Sequence, residues 1–211
     1  MKFILAKKLN MSQIFDESGK VIPVTILEAG PIKIIQIKTK KKDGYAAIQI
    51  GFGKKKNISK PLKGHFKNTG RISGDFKWIR EFRFDKKPIE SNIIEGYKVG
   101  ETIKVDVFET GDKVKIIGKS RGKGFQGVVK RHGFHGKDAT HGVKHAHRQP
   151  GSIGATTPQH VIKGKKMAGR TGGKNITVKT VKVIKVDSEK NLLYLKGAIP
   201  GKRGTLIEIS S

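Results

Sequence analysis

A mainly β fold that carries a long, irregular, basic extension and a smaller inserted arm is predicted by three features of the sequence. Short segments rich in Ile and Val recur between Gly, Pro and Asp-Gly punctuation, the pattern of strands joined by tight turns. In several of them Lys alternates with Val or Ile, which gives one buried and one wetted face. Two long stretches, 54–96 and 118–174, break this pattern with glycine and cations. Short strands with few helical patterns point to a small barrel or a sandwich.

Taken in order, residues 21–29 (VIPVTILEA), 32–39 (IKIIQIKT) and 45–52 (YAAIQIGF) read as consecutive strands. Lys42-Asp43-Gly44 is a hairpin signal, because Asp-Gly tolerates the positive φ angles of a tight turn. The inserted arm, about 54–96, opens with Lys54-Lys55-Lys56 and holds Pro61, Gly64, Gly70 and Gly74. Its strand is "FKWIREFRF", around the lone Trp78. Strands follow at 101–108 and 113–118, then at 175–186, 191–196 and 204–209. The body is therefore 1–117 plus 175–211, and 118–174 is an extended loop threaded through something else.

Composition says what that something is. The chain has 45 Lys+Arg against 17 Asp+Glu, a formal +28 on 211 residues. Such a chain repels itself unless a polyanion is present, and each nucleic-acid phosphate it contacts releases counterions and adds affinity. With no cysteine, disulfides and thiolate zinc sites are excluded. The opening "MKFILAKKLNMSQIF" has too short an apolar run for a secretory signal, and no stretch approaches the roughly 18 apolar residues of a membrane span. A cytoplasmic protein without a membrane partner is expected.

The extension concentrates the charge. Its thirteen cations are Lys119, Arg121, Lys123, Lys130, Arg131, Lys137, Lys144, Arg148, Lys163, Lys165, Lys166, Arg170 and Lys174, against one acid, Asp138. The same segment holds thirteen glycines and six of the seven histidines. It cannot bury enough apolar surface to offset the entropy of its own ordering, so it is expected to be disordered alone or ordered by what it binds.

Gly122, Gly124 and Gly127 fit G-x-G-x-x-G, a spacing tied to dinucleotide binding. That site needs an acidic residue about 20 positions on, and the stretch His141–Arg148 offers none. Kinase and P-loop readings fail too, since no H-R-D, D-F-G or correctly spaced Gly-Lys-Ser is present. What survives is the physical role of the glycines: without Cβ, backbone N–H groups approach any phosphate closely. His141, His145 and His147, with His132 and His135 upstream, raise a metal site, but the cationic field and lack of carboxylates oppose a divalent ion. Imidazoles there suit hydrogen bonds to phosphate and sugar, or stacking on bases. With no paired carboxylates and no Ser-His-Asp arrangement, catalysis is not expected.

An irregular basic segment on a β body suits a folded RNA, recognised by shape and backbone, better than a DNA groove read by a helix or ribbon. The expected RNA-binding groups are the thirteen cations with Gly124, Gly127, His132, His135, His141, His145 and His147. Neither cofactor, metal nor small-molecule substrate is expected.

Several motifs carry a resemblance. The run Gly122–Gly127 with Arg131, then Asp138-Ala139-Thr140-His141-Gly142, His147-Arg148, Pro150–Gly154 and Lys163–Gly169 resembles the large-subunit ribosomal protein L-three family, in its bacterial form. So do "KLNMSQIF" at 8–15, Ile22–Thr25, Asp43–Gln49 and "NLLYLKGAIPG" near the end, so the likeness spans nearly the whole chain. The resemblance implies a small closed β-barrel of translation-protein type on the large subunit, beside neighbouring ribosomal proteins. It implies binding near the 3′ end of the large-subunit ribosomal RNA early in assembly. The extension would then reach toward the peptidyl transferase centre, with Gly154, Ala155, Thr156, Thr157, Pro158 and Gln159 innermost. Some bacterial members carry a methylated glutamine before the Pro of this turn. Here that stretch reads Ala155-Thr156-Thr157-Pro158, so no methyl group is carried over to Gln149 or Gln159.

Overall fold

The computed structural model describes residues 2–68, 75–84 and 96–211, and the chain divides into two compact units, Met1–Lys119 with Asn175–Ser211, and Ser120–Lys174. In the first unit, six strands form a ring: β1 (Phe3–Phe15), β2 (Val21–Ala29), β7 (Lys113–Lys119), β10 (Asn175–Asp187), β11 (Leu192–Lys196) and β12 (Leu206–Ser210). Their order around a closed barrel is β1-β12-β7-β10-β11-β2, every pairing antiparallel. Each of the six strands is paired on both sides over part of its length, which protects most of its edges. The two longest strands, β1 and β10, shift register at Lys8/Asn10 and at Val178/Val181, the kind of irregularity that bends a strand around a barrel.

A second sheet, order β5-β4-β3-β6, is built from β3 (Ile32–Lys38), β4 (Ala47–Lys54), β5 (Phe76–Arg83) and β6 (Thr102–Ile103). One face joins the main core, where Ile32, Ile34, Ile48 and Ile50 are buried with the barrel's Phe3, Leu5, Ile116, Leu193 and Ile209. The opposite face carries α2 (Lys60–Asn68), whose Phe66 is buried with Ile35 against Leu62, Phe76 and Ile79. The first helix, α1 (Lys40–Asp43), is a single turn.

The mainly β expectation holds, and four local readings are corrected. Strand β1 was not anticipated. Phe3, Ile4, Leu5 and Ala6 are all fully buried, so no alternation marks them; a strand covered on both faces reads as a plain apolar run. Residues 32–39 and 45–52 are strands but leave the ring rather than continue it: they form the second sheet, whose Ile32, Ile34, Ile48 and Ile50 pack on the barrel's core. Lys42-Asp43-Gly44 does lie in the connection of an antiparallel pair, β3 with β4, and Gly44 takes φ +79, but the tight turn is replaced by a longer connection that contains α1. Segment 101–108 is a strand only at Thr102–Ile103, after which a 3-10 turn over Val105–Val107 drops Val105 and Phe108 into the core. The arm at 54–96 supplies α2 and β5, while Gly70, Gly74 and residues 85–95 lie outside the described residues.

Candidate nucleic-acid interface

The second unit begins and ends as a two-stranded stem. Strand β8 (Phe125–Gln126) pairs with β9 (Gly169–Arg170), extended by Lys123 N–H to Thr171 O at 2.9 Å and Ser120 N–H to Lys174 O at 2.8 Å. Gly172, at φ +74, has no room for a Cβ, which would run into the Arg121 carbonyl. Helix α3 (Val128–His132) follows β8 and stops at Gly133, φ +73, whose N–H bonds the Val129 carbonyl.

Arg131 and His132 turn inward from α3. Arg131 Nη1 donates to the Met167 carbonyl at 2.6 Å, and His132 Nε2 lies 3.1 Å from the same oxygen. Gly169 leaves room for the guanidinium, since a Cβ there would sit 2.6 Å from Nη1. Two of the expected RNA-binding side chains thus also fasten the two limbs together.

A second closure joins Lys137 N–H to His147 O at 3.0 Å and places His147 Nδ1 3.0 Å from Asp138 O. Beyond it, every residue from Arg148 to Lys166 is exposed, including Gly154, Ala155, Thr156, Thr157, Pro158 and Gln159. Internal bonds there are local, such as Ser152 Oγ to Gly154 O at 2.8 Å and Lys165 N–H to Ile162 O at 3.2 Å.

Apart from half-buried Arg131, all thirteen expected cations are exposed, as are His135, His141 and His145. Among the described residues, none of the five ion pairs includes any residue of 118–174. The charge is arrayed outward, without an ion-pair partner among the described residues. Val128 is the only buried hydrophobic residue of this unit among those described. Sequence reasoning missed its exposed apolar side chains: Phe125 is 74% and Ile162 65% exposed. Their only signal was isolation within a polar stretch.

The glycines separate by cause. Gly133, Gly136 and Gly172 are fixed by positive φ. At Gly122, Gly127 and Gly154, φ is not positive and a Cβ would meet nothing within 4 Å. Nothing among the described residues requires glycine at these three positions.

The model of the family described as Ribosomal protein L3 matches residues 85–193. A large ribosomal subunit protein uL3 of Carboxydothermus hydrogenoformans is 48% identical over 210 residues, covering 99% of this chain and 96% of its own length. The chain belongs to the ribosomal protein L3 family. Similar proteins of the same name occur in Herpetosiphon aurantiacus, 44% identical over 98% of this chain and 94% of theirs, and in Prochlorococcus marinus, 51% over 98% and 92%. Family membership over this length extends the likeness through both units, extension included.

Proposed function

We propose that this chain is a non-catalytic structural constituent of the large ribosomal subunit, located in the cytoplasm within the ribosome. It binds large-subunit ribosomal RNA directly near the 3′ end, helps nucleate early assembly, and sends residues 118–174 toward the peptidyl transferase centre. The body, a closed ring of translation-protein type, anchors the extension and meets neighbouring ribosomal proteins. Lys and Arg of the extension neutralise phosphates where RNA helices crowd together, His135, His141 and His145 supply hydrogen bonds or stacking, and Gly124, Gly127 and Gly154 admit close backbone approach.

The observation that carries this reading is the set of twelve exposed cations between Lys119 and Lys174 with no acidic partner among the described residues. A protein surface of one sign and this density has its counterions elsewhere. The glycines at 122, 127 and 154, unexplained by the chain's own packing, support an outside body pressed against the backbone.

The test is charge removal. With Lys163, Lys165 and Lys166 all changed to Ala, affinity for large-subunit ribosomal RNA is expected to fall. The slope of log affinity against log salt should flatten by about 2 to 3, with the circular dichroism spectrum unchanged. An unchanged slope overturns the role of these three lysines. Equal affinity for random duplex DNA at the same salt would favour a compacting protein instead.

A further inference from the structure

The extension is not the sole place on this chain with nucleic-acid chemistry. In the first unit a groove of about 570 Å³ opens between the barrel strands β1 and β2 and the second sheet. Its wall combines Phe52, Phe76 and Trp78 with Lys33, Lys54 and Lys77. Lys7 and Glu28 also line it, paired to each other at 3.2 Å. Four lysines against one glutamate leave the wall at net +3.

The aromatic arrangement is built by β4. Phe52 lies opposite Trp78 in the β4–β5 register, and their rings stack at 5.6 Å with 20° between planes. Glycines on either side of Phe52 make the space. A Cβ at Gly51 would strike the Phe76 ring, and one at Gly53, φ +68, would come 3.0 Å from the Trp78 indole. Lys77 Nζ sits 4.5 Å from the Trp78 ring centroid. The indole is thus held by one ring and capped by an exposed cation.

We propose that this groove binds an unpaired nucleotide of single-stranded RNA, its base stacking with Trp78 and its phosphates met by Lys33, Lys54 and Lys77. Aromatic faces beside a cationic track are the means by which proteins hold unstacked bases without reading sequence. Net positive charge argues against a cationic or purely apolar occupant. Exposed Lys77 gives up its place on the indole as a base enters, and its ammonium moves to a phosphate. The site lies on the body and does not depend on the extension being bound.

Trp78 is the chain's one tryptophan, so its emission reports on this groove alone. The full chain is titrated with hexauridylate and with an abasic oligomer of the same length, at fixed salt. Hexauridylate is expected to quench the emission saturably, and the abasic oligomer is not. Quenching persists when Lys163, Lys165 and Lys166 are changed to Ala, which separates this site from the proposed role of the extension. In that background, labelled hexauridylate is expected to bind at least about tenfold more weakly once Lys54→Ala and Lys77→Ala are added. Trp78→Phe, which keeps a ring, retains the preference for the base-bearing oligomer. Equal quenching by the abasic oligomer overturns the proposal, as does loss of quenching on charge removal in the extension. Quenching by a polyglutamate peptide as strong as that by hexauridylate assigns the groove to an acidic protein segment and overturns it too.

Discussion

Arg131 reaches across the base of the extension to the Met167 carbonyl, 36 residues away in sequence, and bonds it at 2.6 Å. A charged donor in a half-buried setting makes this bond worth about 1.5 to 3 kcal/mol, more than a neutral one. Arg131→Ala is therefore expected to loosen the stem while the barrel melts as before. Hydrogen exchange should quicken at Lys123 and Thr171, whose amides close that stem, and not in β7 or β12. Gly169→Ala should do the same by displacing the guanidinium. Unchanged exchange in both variants would mean the stem stands without the bond.

On the second sheet, Lys38 Nζ lies 2.6 Å from Tyr45 Oη and 2.9 Å from Glu81 Oε1, and Tyr45 Oη donates to Glu81 Oε2 at 3.0 Å. The bonds to Tyr45 and Glu81 push the Lys38 ammonium up to about 12. Burial pushes the Glu81 carboxyl up, but the hydrogen bonds from Lys38 and Tyr45 outweigh it and leave it below its ordinary 4.5. A carboxylate lowered on folding contributes stability that is complete above 4.5 and is lost as pH falls through its folded value. Glu81→Gln should therefore destabilise by about 1 kcal/mol at neutral pH, and the difference from the parent should shrink below pH 4.5. Urea midpoints at pH 7 and pH 3.5 measure it. A gap that stays constant across that range would show that Glu81 does not act through its charge.

How far the sequence could be read depended on whether one residue's neighbours in space were also its neighbours in pattern. Strand β10, wet on one face, sets Lys179, Lys182 and Lys185 among Val and Ile and was legible as a strand. Strand β1 begins with Phe3 stacked on Phe82 at 4.8 Å on one side and the barrel interior on the other, so its period vanished. The same holds for β3, where Ile34 enters the main core and Ile35 the cluster under α2. In the extension, charge marked the exposed surface correctly at Lys163, Lys165 and Lys166. It did not reveal that Arg131 bends back to Met167, because one guanidinium in a run of cations carries no sign of its partner. The groove at Trp78 was invisible for a different reason. It depends on Gly51 and Gly53 flanking Phe52 in a strand whose pairing with β5 no local pattern encodes.

Gly118 is a buried, closely packed position on β7. A Cβ there would lie 2.8 Å from Ile207 Cδ1 and 3.2 Å from the Pro200 carbonyl. The isoleucine tip can shift, but the backbone carbonyl cannot easily follow. Gly118→Ala is expected to cost about 1 to 3 kcal/mol of barrel stability, as overpacking of a close contact does. Thermal unfolding followed by circular dichroism checks it. A melting temperature equal to the parent's would mean the β7–β12 pairing, Gly118 to Ile207, has slack the geometry does not reveal.

Gly122 offers the opposite case. Its φ is not positive, and a Cβ would meet nothing within 4 Å, so Gly122→Ala leaves every internal contact intact. Losing glycine's unfolded-state freedom should even raise stability slightly, by about 0.4 to 1 kcal/mol. If an RNA backbone lies against this loop, the added methyl group faces that RNA and affinity for large-subunit RNA should drop several-fold while stability holds or rises. Gly127→Ala and Gly154→Ala obey the same logic, whereas Gly172→Ala should disturb the stem itself by colliding with the Arg121 carbonyl. Filter binding at one salt concentration, set beside urea unfolding of the same variants, separates the two classes. Should Gly122→Ala, Gly127→Ala and Gly154→Ala all bind RNA as the parent does, close approach to RNA is not why glycine occupies those positions.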